Sequence, residues 1–344
     1  MRALRLTDWH SEPELGDLPE PDPGPGQVLV RIQAAGACHS DLHLMDDFDS
    51  GDLPFDPPFT IGHENAGRVE ATGAGVEGLD EGTPVAVYGP WGCGRCHRCR
   101  KGMENYCERQ GQVHAGGLGS DGGMADLMLV PDARLLVPLE GLEPVQAAPL
   151  TDAGLTPYHA IARSLPKLTP GSTTVVIGIG GLGHMAVQIL KAVCDTRIVA
   201  VDTRDEALQL AEDIGADHTV KAGEDAADEI LEHAQGRGAD LVLDVVGADA
   251  TMSLASQVVR PLSDLTVIGI GGGHLDFSFF ALPYEVSLAT TYWGSVTELM
   301  EVLELARRGH IEAQVQRFDL DHATDAYRAM REGELQGRAV IVPN

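Results

Sequence analysis

The pattern of apolar and polar positions divides the chain into three stretches. Over roughly the first 150 residues, short β-type runs such as Val28-Leu29-Val30-Arg31-Ile32 and Pro84-Val85-Ala86-Val87-Tyr88 sit between Pro/Gly-rich turns such as Pro21-Asp22-Pro23-Gly24-Pro25-Gly26. Apolar runs of this length bounded by turn residues predict a β-rich domain with long loops. The pattern then changes: 174–179, 197–201, 240–245 and 265–270 read as strands, and 183–194 and 205–214 as helices. Strand–helix alternation with short connections predicts a parallel sheet covered on both faces, an α/β doubly wound domain. The last stretch holds a helix over 297–307, with Ser295 as its candidate cap, and a strand over 338–342. The pattern alone assigns this stretch to neither domain.

Length and composition fit that division. At 344 residues the chain exceeds the ~250–300 at which a single core stops growing. Hydrophobic residues at 43% and charged ones at 22% exclude a disordered or fibrous chain. The 52 Asp and Glu against 24 Lys and Arg give a net charge of −28. Such a surface repels phosphate backbones and anionic lipid, so no nucleic-acid or membrane partner is expected. Of the cations only Lys101, Lys167, Lys191 and Lys221 are lysines. Excess carboxylates with few lysines suit a protein working in concentrated salt, where a Debye length of ~3 Å at 1 M silences their repulsion. The plainer alternative is an ordinary soluble acidic protein.

Met1-Arg2-Ala3-Leu4-Arg5 is not followed by an apolar targeting core. The apolar stretch 175–193 is broken by glycines and by His184, Gln188 and Lys191, which excludes a membrane span. Four of the six cysteines fall within fifteen residues, a spacing that favours metal over disulfides, and a cytoplasmic location is expected.

Two motifs carry chemistry of their own. Val175-Val176-Ile177-Gly178-Ile179-Gly180-Gly181-Leu182-Gly183 is a buried strand running into G-x-G-x-x-G and then a helix. Gly178 allows the tight turn, Gly180 lets backbone approach a pyrophosphate, and Gly183 lets helix pack on strand. Asp202, nineteen residues past Gly183, ends the next strand where a carboxylate would bind an adenine-ribose diol. That carboxylate repels a 2′-phosphate, so NAD is favoured over NADP, with Arg204 keeping NADP as the alternative. The second motif, Cys93-x2-Cys96-x2-Cys99-x7-Cys107, suits a closed tetrahedral zinc site without room for substrate. A ferredoxin-type cluster would have its fourth Cys after three residues and before Pro. A nucleic-acid zinc knuckle fits Arg95, Arg98, Arg100 and Lys101 but not the net charge.

Beyond these, Gly36-Ala37-Cys38-His39-Ser40-Asp41-Leu42-His43 and Ile61-Gly62-His63-Glu64-Asn65 place a thiol, imidazoles and acids close together. Singly, Cys38 reads equally as a small buried hydrophobe and His63 as a satisfied core histidine. Gly36–Asp41, Gly62-His63-Glu64, the cysteine lobe and Gly178–Gly183, in that order over the whole chain, resemble the zinc-dependent alcohol dehydrogenases of the medium-chain dehydrogenase/reductase group. Val87–Cys93, Pro149–His159 and Tyr292-Trp293-Gly294 are most similar to the NAD-dependent secondary-alcohol members.

The resemblance implies a GroES-like catalytic domain over 1–150 and 287–344, a Rossmann domain over 151–286, and two Zn²⁺ per subunit. Cys38 and His63 match the first two catalytic zinc ligands, and Asp152 falls where the third lies. Many members have Cys there and the secondary-alcohol subgroup has Asp; a cap on a helix beginning near Ala153 is the alternative. One thiolate, one imidazole and one carboxylate leave the site formally neutral, with a fourth position open. Glu64 is similar to the family's carboxylate near the metal, and Asp41 to the acid that orients the ligand histidine.

Ser40 matches the proton-relay hydroxyl, His43 the histidine that passes the proton to solvent, and His39 a residue near the pyrophosphate. Gly181, Leu182 and Ile270 join the cofactor-binding set. Trp293, with Ser40, is the substrate-pocket candidate, beside Tyr292. The implied reaction is interconversion of alcohols with ketones or aldehydes by hydride transfer to NAD, in a homodimer or homotetramer. The dimer is expected to pair through 265–270. The rivals are a polyol or sugar dehydrogenase of the same family and a non-catalytic NAD(P)H-binding protein.

Overall fold

A computed structural model of the chain describes residues 1–109 and 114–343. Its contacts fall into two compact units, one of 1–155, 293–307 and 313–344, the other of 156–292 and 308–312.

The first unit is built on a seven-stranded sheet. Its spine runs Leu136–Pro138, Pro84–Val87, Glu64–Thr72, Val28–Ala37, Arg338–Val342 and Val315–Asp319, with Leu127–Val130 also paired to Val28–Ala37. Val28–Ala37 is buried along nearly its whole length, which explains why its apolar run does not alternate. Its one exposed cation, Arg31, bonds both oxygens of Glu70 on the neighbouring strand, at 2.8 and 2.6 Å. The C-terminal strand, unassigned by pattern, pairs antiparallel with the same strand, Ala339 facing Ala37 and Ile341 facing Ala35. That pairing brings the chain's end beside Cys38 and Glu64. A smaller sheet orders Glu14–Asp17, Arg2–Leu6 and Phe59–Thr60.

The second unit holds six parallel strands in the spatial order His218–Lys221, Arg197–Asp202, Thr173–Ile177, Ala239–Asp244, Val259–Val267 and Ser287–Thr290. In chain order this is 3-2-1-4-5-6, the Rossmann arrangement. Helices Gly183–Val193, Asp205–Asp213, Ala226–His233 and Asp249–Val258 make the first four crossovers. Val175, Ile177, Val199, Val201, Val242 and Leu265 fill one core, consistent with continuous apolar runs in a sheet buried on both faces.

One expectation needs correcting here. The segment expected to pair edge to edge, 265–270, overlaps the strand Val259–Val267, which is flanked on both sides. The edge on that side is Ser287–Thr290, a short run of Ser-Leu-Ala-Thr whose weak apolar signal hid it from the pattern; the opposite edge is His218–Lys221.

Candidate metal and dinucleotide sites

Cys38 ends the long central strand and immediately precedes the helix His39–Asp46. Asp41, in the helix's first turn, reaches back to accept the Cys38 N–H at 2.9 Å, satisfying one of the helix's orphan donors. Asp41 is fully buried; its Oδ2 also takes the Tyr327 hydroxyl at 3.0 Å, and its Oδ1 lies 3.3 Å from Nδ1 of His63. The acid stands beside Nδ1 of His63, and Nε2 is the nitrogen that faces Asp152. Nε2 of His63 lies 3.6 Å from Oδ2 of Asp152, and Cys38 Sγ lies 4.0 Å from the same oxygen. Asp152 follows the short 3₁₀ turn Ala148–Thr151, and the next helix starts only at Leu155.

The donor atoms of Cys38, His63 and Asp152 all fall within 4.8 Å of one another. A tetrahedral zinc with bonds of ~2.0–2.3 Å needs donor atoms about 3.3–3.8 Å apart, so thiolate, imidazole and carboxylate fit one ion. Electrostatics point the same way. Burial opposes a charge on His63, yet Asp41 and Asp152 on its two sides outweigh that and hold its pKa well above the ordinary histidine range. Carboxylates on both sides of a buried imidazole favour positive charge in this pocket.

Sequence reasoning missed the group that completes this pocket. Arg338, on the C-terminal strand, donates to both oxygens of Glu64, at 2.9 and 2.5 Å, with both side chains buried. The Ala153 N–H donates to Glu64 Oε1 at 3.0 Å, and Arg338 Nη2 stands 3.8 Å from Asp152 Oδ2. Burial works against the guanidinium's charge, but Cys38 and Glu64 hold it firmly protonated. Glycine is required opposite: a Cβ at Gly36 would collide with Glu64 Oε2. No spacing rule links positions 64 and 338; only the strand pairing does.

The remaining candidates of this unit spread around the trio. Ser40 Oγ lies 3.3 Å from Cys38 Sγ. His43 sits on the helix, half-buried, with Nδ1 2.5 Å from Asp47 Oδ2, and His39 is exposed. Trp293 is buried and packs edge-on against the His63 ring, centroids 5.6 Å apart. Gly89 makes room for it, since a Cβ there would stand 2.8 Å from the indole.

In the cysteine lobe all six cysteines of the chain being free, the four sulfurs of Cys93, Cys96, Cys99 and Cys107 cluster within 4.8 Å. Sγ of Cys99 lies 3.9 Å from that of Cys93 and 3.4 Å from that of Cys96. Zinc–sulfur bonds of ~2.3 Å place tetrahedral sulfurs about 3.8 Å apart, so the cluster fits one ion. Backbone N–H groups of Cys93, Cys96, Cys99 and Arg109 point at the sulfurs, at 3.4–3.5 Å. Such donors, that of Arg95 foremost, pull the Cys93 thiol down to about 6. Arg134 ties the lobe to the sheet through Glu104 at 3.3 Å and the Gly92 carbonyl at 2.5 Å.

In the second unit the strand Thr173–Ile177 runs into the glycine turn and then the helix starting at Gly183, preceded by Gly181 and Leu182. Gly178 has φ +94, and a Cβ on it would lie 2.6 Å from Val246; a Cβ on Gly183 would strike the Gly178 carbonyl. Gly180 is different: nothing in the protein lies within 4 Å of a Cβ placed there. Its smallness serves no internal packing, which is the expectation for a glycine kept bare for a phosphate. Asp202 Oδ2 accepts the Ile179 N–H at 2.7 Å, so the acid braces the glycine turn. Its Oδ1 takes Arg204, through N–H at 3.0 Å and Nε at 3.3 Å. Arg204 is thus paired to the acid it follows. Ile270 is largely exposed.

Comparison with known proteins gives consistent matches. The alcohol dehydrogenase GroES-like domain matches residues 24–141, and the zinc-binding dehydrogenase domain matches 181–308. An NAD-dependent alcohol dehydrogenase of Sulfurisphaera tokodaii is 37% identical, with all of both chains covered. A D-arabinose 1-dehydrogenase (NADP(+)) of Saccharolobus solfataricus is 33% identical over 99% of this chain and 97% of its own. The crystal structure of the alcohol dehydrogenase of Aeropyrum pernix superposes with a TM-score of 0.93 at 36% identity, covering both chains completely.

Proposed function

We propose that this chain, which belongs to the zinc-dependent alcohol dehydrogenases of the medium-chain dehydrogenase/reductase group, interconverts secondary or medium-chain alcohols and their ketones or aldehydes with NAD. The observation that carries the reading is the buried trio Cys38, His63 and Asp152, whose three donor atoms converge; three protein ligands are the number a catalytic zinc uses when its fourth position takes substrate. Zinc bound there would act as a Lewis acid, making an alcohol acidic near neutral pH and so readying its carbon to lose hydride. The second, four-cysteine cluster would hold a structural zinc.

The chain's own residues supply the rest. Ser40, beside Cys38, takes the alcohol's proton. His43, three residues further along the same helix with Nδ1 beside Asp47, hands it to solvent. Arg338 neutralises Glu64, so the trio presents Cys38 and Asp152 as its anionic donors, matching the ion's charge. Trp293 walls the pocket beside His63 with an apolar face, which favours a less polar substrate than a sugar. In the second unit Gly178, Gly180, Gly181, Leu182 and Gly183 cradle the pyrophosphate, with Asp202 and Arg204 at the adenine ribose and Ile270 completing that unit's cofactor contacts.

Around this chemistry we place three coarser properties. The acidic surface, poor in lysine, is an adaptation to concentrated salt. The location is cytoplasmic; among the described residues no helix is long and apolar enough to cross a membrane. The subunits associate as homodimers or homotetramers, a reading supported by the open edge Ser287–Thr290 and by the exposed Phe277, Phe279, Phe280 and Tyr284 just before it.

The sugar-dehydrogenase relative keeps aldoses as the second reading. Turnover of primary alcohols, secondary alcohols, polyols and aldoses, each with NAD and NADP in molar salt, decides. Highest kcat/KM on a secondary or medium-chain alcohol with NAD is expected; highest kcat/KM on an aldose would replace the reading.

A further inference from the structure

The chain between the first and second ligands of the trio is the helix His39–Asp46, a loop over 47–58, and the short strand Phe59–Thr60 that leads to His63. This connection carries Ser40 and His43, and the N-terminal segment restrains its loop through Trp9 and His10. Trp9 is buried, donates its indole N–H to Asp56 Oδ1 at 3.0 Å, and packs on Phe48 and Phe55. His10, next to it, holds a left-handed backbone conformation (φ +53) that aims its ring at the helix end.

Both ring nitrogens of His10 meet acceptors. Nδ1 lies 3.0 Å from the carbonyl oxygen of Asp46, and Nε2 lies 2.9 Å from Oδ1 of Asp49. A carbonyl and a carboxylate can only accept, so both contacts are hydrogen bonds only when both nitrogens carry protons. The neutral ring would turn a lone pair toward one of the two oxygens. The Asp46 carbonyl belongs to the helix's last turn, which lacks intrahelical donors and sits at the negative end of the helix dipole.

We propose that His10 is a positioning residue for the catalytic helix: as an imidazolium it caps the last turn and pins the loop at Asp49, and loss of its proton slackens both. The surroundings agree. The hydrogen bond to Asp49 and the Asp46 carbonyl raise its pKa above the ordinary range despite its exposure. The charged groups about it are the Asp46 and Asp49 carboxylates on the helix and loop. Arg331, from the helix Ala323–Arg331, bonds the Asp46 carboxylate at 3.0 and 3.3 Å and also Glu12, on His10's own segment, at 2.6 Å. That guanidinium keeps its charge throughout the working range. His10 is the one restraint among these that titrates near neutrality. Because its folded pKa is raised, the restraint is complete at low pH and is lost as pH rises through that value.

The inference rests on the dehydrogenase reading for its effect on turnover, but not for the latch itself. The test compares wild type with His10→Asn and His10→Arg from about pH 6 to about pH 9.5 at fixed salt. Asparagine tolerates the left-handed backbone but is too short to span both acceptors; arginine offers two donors at every pH. Two quantities are read: KM and kcat for the alcohol, and backbone hydrogen exchange over 47–53 after correction for intrinsic rates.

In wild type KM should rise several-fold, and exchange should speed up, across the raised histidine pKa, with kcat moving less. His10→Asn should be high in KM, fast in exchange and flat on that limb; His10→Arg should be low, slow and flat. Identical pH profiles of exchange in wild type and His10→Asn would overturn the proposal. Absence of turnover on every alcohol would sink the dehydrogenase reading alone, since exchange would still report the latch.

Discussion

Arg338 grips Glu64 through both carboxylate oxygens although 274 residues separate them in the chain. Both side chains are buried. Removing one partner of a buried pair leaves a bare charge, whereas replacing both by neutral groups of similar size costs little. Arg338→Met is therefore expected to lose about 3–5 kcal/mol of stability, and Glu64→Gln combined with Arg338→Met to recover most of it. Urea unfolding of wild type and the two variants measures this; equal losses in the single and double variants would show that the pair is not the source.

Asp202 does two things that a single substitution can separate. Its carboxylate accepts the Ile179 N–H and supplies negative charge at the strand end. Asp202→Asn keeps an oxygen for Ile179 but removes the charge. A hydrogen bond to a charged group contributes about 1.5–3 kcal/mol, so KM for NAD should rise roughly tenfold or more while that for NADP falls. An unchanged NAD to NADP preference would remove Asp202 from cofactor selection.

Salt dependence follows from the 52 acidic residues and the scarcity of lysine. In about 0.1 M salt the Debye length is ~10 Å and neighbouring carboxylates repel; in molar salt that repulsion is screened. The melting temperature should rise by roughly 5 °C or more from dilute buffer to about 2 M potassium chloride. A flat scan would leave the acidic surface as a solubility feature only.

How much of this was legible in the sequence depended on distance along the chain. The glycine turn was readable because strand, turn and helix are contiguous, and the cysteine lobe because its four sulfurs lie within fifteen residues. Cys38, His63 and Asp152 were placed together by resemblance; the geometry that joins them comes from a strand end, a turn and a 3₁₀ segment. Arg338 was visible only as the start of a strand, because its role arises from Ala339 pairing with Ala37. His10 gave no signal at all, since an exposed histidine acquires meaning only when the oxygens it meets are known. The edge strand Ser287–Thr290 was lost because four residues of mixed polarity carry no period.

The most direct test of the central claim is metal content measured alongside turnover and NADH binding in wild type and Asp152→Asn. Two zinc ions per wild-type subunit are expected. Asp152→Asn should keep the ion of the cysteine lobe, lose or weaken the other, lose turnover by at least about 100-fold, and bind NADH as before. Two tightly held zincs and full activity in Asp152→Asn would contradict the assignment of Cys38, His63 and Asp152 as one metal centre.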